Sequence, residues 1–178
     1  AGMVKYARSG GEANAISIRI ARAASGKDNV AFCGYHGWHD WYLASNIADK
    51  DSLSSHLLDG LETSGVPANL KGTSFPFNYN DYDCLLNLVN NKNIGVIKME
   101  VQRNNPPKDD FLEKVRKLAT EKGIVLIFDE CTSGFRETFG GLHQKYQVEP
   151  DIAMFGKTLG NGYAITAVVG RSEVMESA

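Results

Sequence analysis

Cysteine is scarce in this chain. Cys33, Cys84 and Cys131 are the only three in 178 residues, an odd number without paired spacing. That usage fits a reducing, cytoplasmic compartment better than a disulfide framework. Long apolar runs are missing as well. None reaches the length of a membrane-spanning helix, and no signal-peptide pattern is visible. Neither sign of charge dominates: 19 Lys and Arg stand against 21 Asp and Glu, for a net charge of −2. No strong field therefore invites nucleic acid or an anionic membrane. Repeats and low-complexity tracts are absent. There is no initiator Met, and the chain ends inside "SEVMESA", which reads as a helix just starting. The expectation is a piece of a longer protein.

What is present is ordinary for a globular domain: 43% hydrophobic and 22% charged residues. The length suffices for one domain with a sizeable core. Apolar runs alternate between two kinds. "VKYARSG", "NVAFCGY", "GTSFPF", "IGVIKMEV", "IVLIFDE", "DIAMFG" and "AITAVVG" read as strands. Pro76 puts "GTSFPF" at a sheet edge. "IVLIFDE" is apolar almost throughout, as a strand covered on both faces should be. "EANAISIRIARAAS" reads as a helix with Ala13, Ile16, Ile20 and Ala24 on one face and Gly26 at its end. "DYDCLLNLVNN" reads as a helix capped by Asp81, with Tyr82, Leu85, Leu86 and Val89 on one face. "DDFLEKVRKLATEKG" reads as a third, capped by Asp109 or Asp110 and stopped by Gly123. Residues 40–72, with Gly60, Gly65 and Pro67, read as a long surface excursion. Strands alternating with helices imply an α/β domain: three α/β/α layers on a mostly parallel seven-stranded sheet. Chemistry in such sheets gathers at the carboxyl ends of the strands. Those ends carry "RSGG", "GYHGWHD", "KMEVQRN", "FDECTSGFR" and "FGKTLGNG".

Lys157 in "FGKTLGNG" has two competing readings. A phosphate-binding P-loop ends in GKT, but it needs a glycine five residues earlier, where Asp151 stands. The spacing fails. The other reading is a nucleophile that bonds a cofactor carbonyl, since burial beside a cofactor lowers a lysine's pKa. The plain alternative is a surface lysine after a buried strand. Asp129 closes an apolar strand, where a carboxylate is costly unless paired. A protonated pyridine nitrogen is one such partner, and helix capping or metal binding are the plain alternatives. Ser9, Gly10 and Gly11 precede a helix and offer free amides to an anion, or form an ordinary glycine turn. Tyr35 could stack on a flat ring. Cys33, His36 and His39 fit no zinc spacing, so no metal site is expected. Trp38 and Trp41 read as packing residues.

Together, "SGGEA", "YHG", "FDECTSGFR" and "FGKTLGNG" resemble the class III aminotransferases among the fold-type I pyridoxal-phosphate enzymes. The branch it resembles most is that of glutamate-1-semialdehyde 2,1-aminomutase. The resemblance spans essentially the whole chain, and Lys157 follows Asp129 by 28 residues. It implies a cofactor, pyridoxal 5'-phosphate (PLP), bonded by Lys157 as a Schiff base. It implies that Asp129 holds the pyridine nitrogen, with Cys131 on one ring face and Tyr35, from the Tyr35–His36–Gly37 motif, on the other. Ser9, Gly10 and Gly11 fall at the phosphate, and Glu100 lies near the ring. It further implies a small-molecule amino donor and a carbonyl acceptor, a homodimer, and a chain more than twice this long, of which residues 1–178 are the cofactor-binding large domain. Gly11 stands where the family often has Thr, and Val101 replaces a usual Pro. "YHGWHD" and "EVQRNNPP" depart from the aminomutase pattern and favour an aminotransferase. A fragment inert by itself is the remaining alternative.

Overall fold

The computed structural model describes residues 1–53 and 61–178. Seven strands form one sheet: β1 (Met3–Ala7), β2 (Asn29–Cys33), β3 (Ser74–Pro76), β4 (Ile94–Glu100), β5 (Val125–Asp129), β6 (Ile152–Phe155) and β7 (Thr166–Gly170). Their spatial order is β1-β7-β6-β5-β4-β2-β3. From β3 to β6 the pairs are parallel, while β7 runs antiparallel to both β6 and β1. The expected mostly parallel sheet is therefore present, with β3 and its Pro76 at one edge.

Helices cover both faces. α1 (Gly10–Ser25) and α2 (Asp40–Ala48) lie on one side with the short α5 (Ser172–Met175). α3 (Tyr82–Asn91) and α4 (Phe111–Lys122) cover the other. Strand alternation divides the sheet residues between the two cores. Phe32, Val96, Ile127 and Met154 face α1, and Ala31, Ile97, Leu126 and Phe128 face α4. All five residues of β5 are buried, which is why that stretch reads as one apolar run. Each large side chain so covered adds roughly 1.5–3 kcal/mol of transfer free energy.

Local signals set the helix ends. The Ser9 hydroxyl accepts from the Glu12 amide at 3.2 Å, and the Glu12 carboxylate accepts from the Ser9 amide at 3.0 Å, a reciprocal cap. Asp81 caps α3 as expected, accepting from the Cys84 amide at 2.9 Å. The expected cap of α4 differs. Asp109 and Asp110 both take left-handed backbone, at φ 51° and 55°, and no side-chain cap bond forms. Gly123 ends that helix at φ 62°.

Three expectations are corrected. On α1 the buried stripe is Ala13, Asn14, Ser17, Ile18, Ile20 and Ala21, while Ala24 is exposed. The helix lies flat on the sheet, so its covered stripe is wide and admits polar residues. Residues 40–48 are not a surface excursion but α2, with Trp41, Tyr42, Leu43 and Ala44 buried. Its polar positions hid it: Asn46 points inward, accepting from the Leu53 amide and donating to the Leu61 carbonyl. Residues 54–60 of that stretch lie outside the described residues. Of the two tryptophans, Trp41 packs in the core, but Trp38 is 70% exposed.

Candidate active site

The carboxyl ends of β2, β4, β5 and β6 meet the first turn of α1 around a cavity of about 480 Å³. Ser9, Gly10, Gly11, Tyr35, Glu100, Asp129, Cys131 and Lys157 all line it. Of the residues singled out in the sequence, His36 alone does not.

Asp129 and Glu100 end adjacent strands in direct register, so their side chains leave the sheet on one side. Asp129 is 5% exposed. Its Oδ2 lies 2.9 Å from His36 Nδ1, and its Oδ1 accepts from the Cys131 amide at 3.1 Å. His36 sits wholly buried behind it, its Nε2 2.9 Å from the Cys33 carbonyl oxygen. Burial pushes the Asp129 carboxyl up, but the His36 bond and the Lys98 charge overcome it and hold it well below the usual range. Burial, with Asp129 beside it, raises Glu100 to about 7, against the pull of Arg103 at 3.6 Å. The two neighbours are thus driven apart: one stays ionised and the other titrates near neutrality.

Lys157 follows β6 in left-handed backbone, φ 42°. Such a conformation is uncommon for a residue with a Cβ, and it aims this side chain into the cavity. Its Nζ donates to Thr132 Oγ1 at 3.0 Å. Gly156 lets the turn close: a Cβ there would come within 3.1 Å of Cys131 Sγ and of Thr166 Cγ2. Strand β5 ends at Asp129, and Cys131 lies in the following turn, buried yet still facing the cavity. Burial and then Asp129 push its thiol far up, so it sits there as a small hydrophobe.

At the opposite end, Ser9 has taken the Glu12 and Ala13 amides of α1. The Gly10 and Gly11 amides are left without an intrahelical acceptor, and both residues line the cavity at the positive end of the helix dipole. His39 packs on this turn: a Cβ at position 11 would lie 2.8 Å from His39 Cδ2 and Nε2, so any larger residue there would have to displace the His39 ring. Asn14, one turn along, donates to the Gly10 carbonyl at 2.8 Å, and its Oδ1 is buried without a partner. Asn14, Trp38, His39, Arg103 and Thr132 line the cavity and were not singled out in the sequence as site residues. For Asn14 the available signal was its position one helical turn beyond Gly10. No comparable signal marked the others. Among the described residues no three His, Cys, Asp or Glu side chains could hold a metal ion.

A free-amide cradle, an ionised carboxylate opposite it and an amine on the wall suit a flat ring with three handles: an anionic group, a basic nitrogen and a carbonyl. These groups share one cavity at the carboxyl ends of the strands of an α/β domain. The sequence profile described as Aminotransferase class-III matches residues 2–178, and the chain belongs to that family. It is 37% identical over 182 residues to the 3-aminobutyryl-CoA aminotransferase of Cloacimonas acidaminovorans, covering 98% of this chain and 40% of the relative. It is 38% identical to the glutamate-1-semialdehyde 2,1-aminomutase of Methanobrevibacter smithii, covering 98% and 41%. The omega-transaminase structure from Sphaerobacter thermophilus superposes with a TM-score of 0.81 at 28% identity, over 97% of this chain and 41% of that one. A transaminase with PLP bound superposes equally well, at a TM-score of 0.81 and 26% identity. The chain spans about two fifths of the length of the curated relatives it matches.

Proposed function

We propose that residues 1–178 form the cofactor-binding large domain of a PLP-dependent aminotransferase, which moves an amino group from a small-molecule donor to a keto acid or aldehyde. The observation that carries this reading is the convergence of Lys157, Asp129 and the first turn of α1 on one cavity. PLP, when bound, accepts the amino group at its aldehyde carbon and draws electron density from the neighbouring carbon into its ring.

The chain's own residues have the following parts. The Gly10 and Gly11 amides and the Ser9 hydroxyl bind the phosphate, and His39 backs them. Asp129, ionised and oriented by His36, keeps the ring nitrogen protonated. Cys131 and Tyr35 flank the ring. Lys157 would hold the cofactor through its aldehyde carbon, and its amine, when free, would take the proton from the donor's α-carbon and give it back. Thr132 Oγ1 holds that amine in reach.

A second reading is an aminomutase, in which both amine positions lie on one molecule, and the relatives bearing that name favour it. Steady-state assays on the full-length protein with a single amino donor decide. Turnover that requires an added keto acid or aldehyde supports the aminotransferase; sustained turnover of one substrate alone supports the aminomutase.

The working form proposed is a cytoplasmic homodimer with its sites at the subunit interface. The loops that follow β5 and β6 and carry Thr132 and Lys157 also carry Phe139 and Tyr163, which are 99% and 86% exposed. Apolar side chains so bare call for a covering surface. Light scattering on the full-length protein is expected to give twice the chain mass, and an active monomer would refute the arrangement.

A further inference from the structure

Strand β4 carries a lysine inside the core. Lys98 has no exposed surface, and the whole strand around it is buried. It shares a sheet face with Glu100, two residues on. The register pairs Lys98 with Ile127, Glu100 with Asp129, and Asp129 in turn with Met154. The Lys98 Nζ lies 2.9 Å from Met154 Sδ and 3.4 Å from Ser17 Oγ. The side chain therefore crosses β5 over Ile127 and ends beside the residue opposite Asp129. Its amine occupies the layer between sheet and α1, immediately behind the cavity floor, and it does not line the cavity.

Its partners there are poor. A thioether is a weak acceptor, and the Ser17 contact is long. Among the described residues Lys98 forms no ion pair, so a leucine or methionine would fill the place more cheaply. The ionisable groups that face it are Asp129 and Cys131 at the end of β5, Glu100 on its own strand, and His36 behind Asp129. Among the described residues its polar contacts on α1 and β6 are the uncharged Ser17 and Met154. Burial lowers the amine to about 8, while Asp129, Cys131 and Glu100 push it up. It therefore changes charge within the working range of an enzyme.

We propose that Lys98 is a positioning residue that acts through Asp129, its charge setting how strongly that carboxylate holds a cationic ring nitrogen. The proposal rests on the reading above, in which the cavity takes PLP with its ring nitrogen on Asp129. The sign follows from electrostatics. As an ammonium, Lys98 keeps a proton off Asp129 and His36, but it also repels a cation brought to the same carboxylate. As a neutral amine it leaves Asp129 free to hold that cation. By linkage, a cationic ring in the cavity drives the proton off Lys98.

The test uses the full-length protein and two probes, PLP and its 1-deaza analogue, in which a C–H replaces the ring nitrogen. Dissociation constants for both are measured at pH 7 and pH 9 in wild type and in Lys98→Met. The ratio of the deaza constant to the PLP constant isolates the ring nitrogen, because the phosphate and the Lys157 bond are common to both. The comparison of the two proteins removes the ring's own titration. At pH 7, Lys98→Met is expected to raise this ratio at least about tenfold, the repulsion that like charges as much as about 12 Å apart exert at an effective protein dielectric of about 20. At pH 9 the two proteins should agree within about twofold, since wild-type Lys98 is by then mostly neutral. A lysine that only packs would move both dissociation constants together and leave the ratio unchanged at both pH values, which would overturn the proposal. Lys98→Leu serves the same comparison should Lys98→Met not fold. Failure of wild type to bind PLP would overturn the reading of the cavity itself, whereas tight binding with an unmoved ratio would overturn the role of Lys98 alone.

Discussion

Lys157→Ala is expected to remove every covalent bond between the protein and PLP and to lower amino transfer by at least about a thousandfold. On the proposed reading two functions would be lost at once, the nucleophile that bonds the cofactor and the amine that carries the proton. The rest of the site stays in place. Lys157 belongs to a short turn at the cavity edge, is exposed, and makes one side-chain bond, to Thr132. Alanine carries the same Cβ in the same left-handed backbone, so the substitution adds no new strain and leaves the fold intact. PLP is expected still to bind, held by the α1 cradle and Asp129, but to wash out on gel filtration. Unimpaired single-turnover transfer in Lys157→Ala would contradict the assignment.

Asp129→Asn is expected to lower the rate of the donor half-reaction by about 10²–10³, the usual loss when one preorganised electrostatic group leaves an active site. PLP affinity falls by about tenfold or less, because the Lys157 bond and the phosphate cradle persist. An amide still accepts from the Cys131 amide, so the turn after β5 keeps its anchor. What disappears is the negative charge that His36 and Lys98 maintain in a buried place. Without it the ring nitrogen has no reason to stay protonated, and the ring withdraws electrons poorly. Stopped-flow absorbance with an amino donor, beside an equilibrium titration of PLP, separates the two effects. Equal losses in rate and affinity would give Asp129 a purely structural role.

The strands were the most legible part of the fold, for a physical reason. β4, β5 and β6 are covered on both faces, so their residues are apolar almost without interruption, and the side chains that line the cavity stand where those runs stop. Lys157 and Asp129 could be read that way, as could the glycines before α1. What failed to show was anything that depends on distant residues meeting. His36 lies 93 residues from Asp129, and nothing around either one announces the bond. The ring of His39 against Gly11 is equally silent, as a glycine in a turn has many causes. α2 was missed because Ser45 and Asn46 are buried with their hydrogen bonds satisfied inside the protein, which breaks the polar-outward pattern. Lys98 passed as an ordinary member of a strand, since periodicity places a side chain on a face and says nothing of its partners.

The central claim is that Lys157 bonds the cofactor, and reduction with borohydride followed by peptide mass mapping tests it most directly. The full-length protein is loaded with PLP, reduced, digested and mapped. A single phosphopyridoxyl group on Lys157 is the expected result, absent from Lys157→Ala. Stable labelling at Lys71 or Lys98 instead, with Lys157 unmodified, would contradict it.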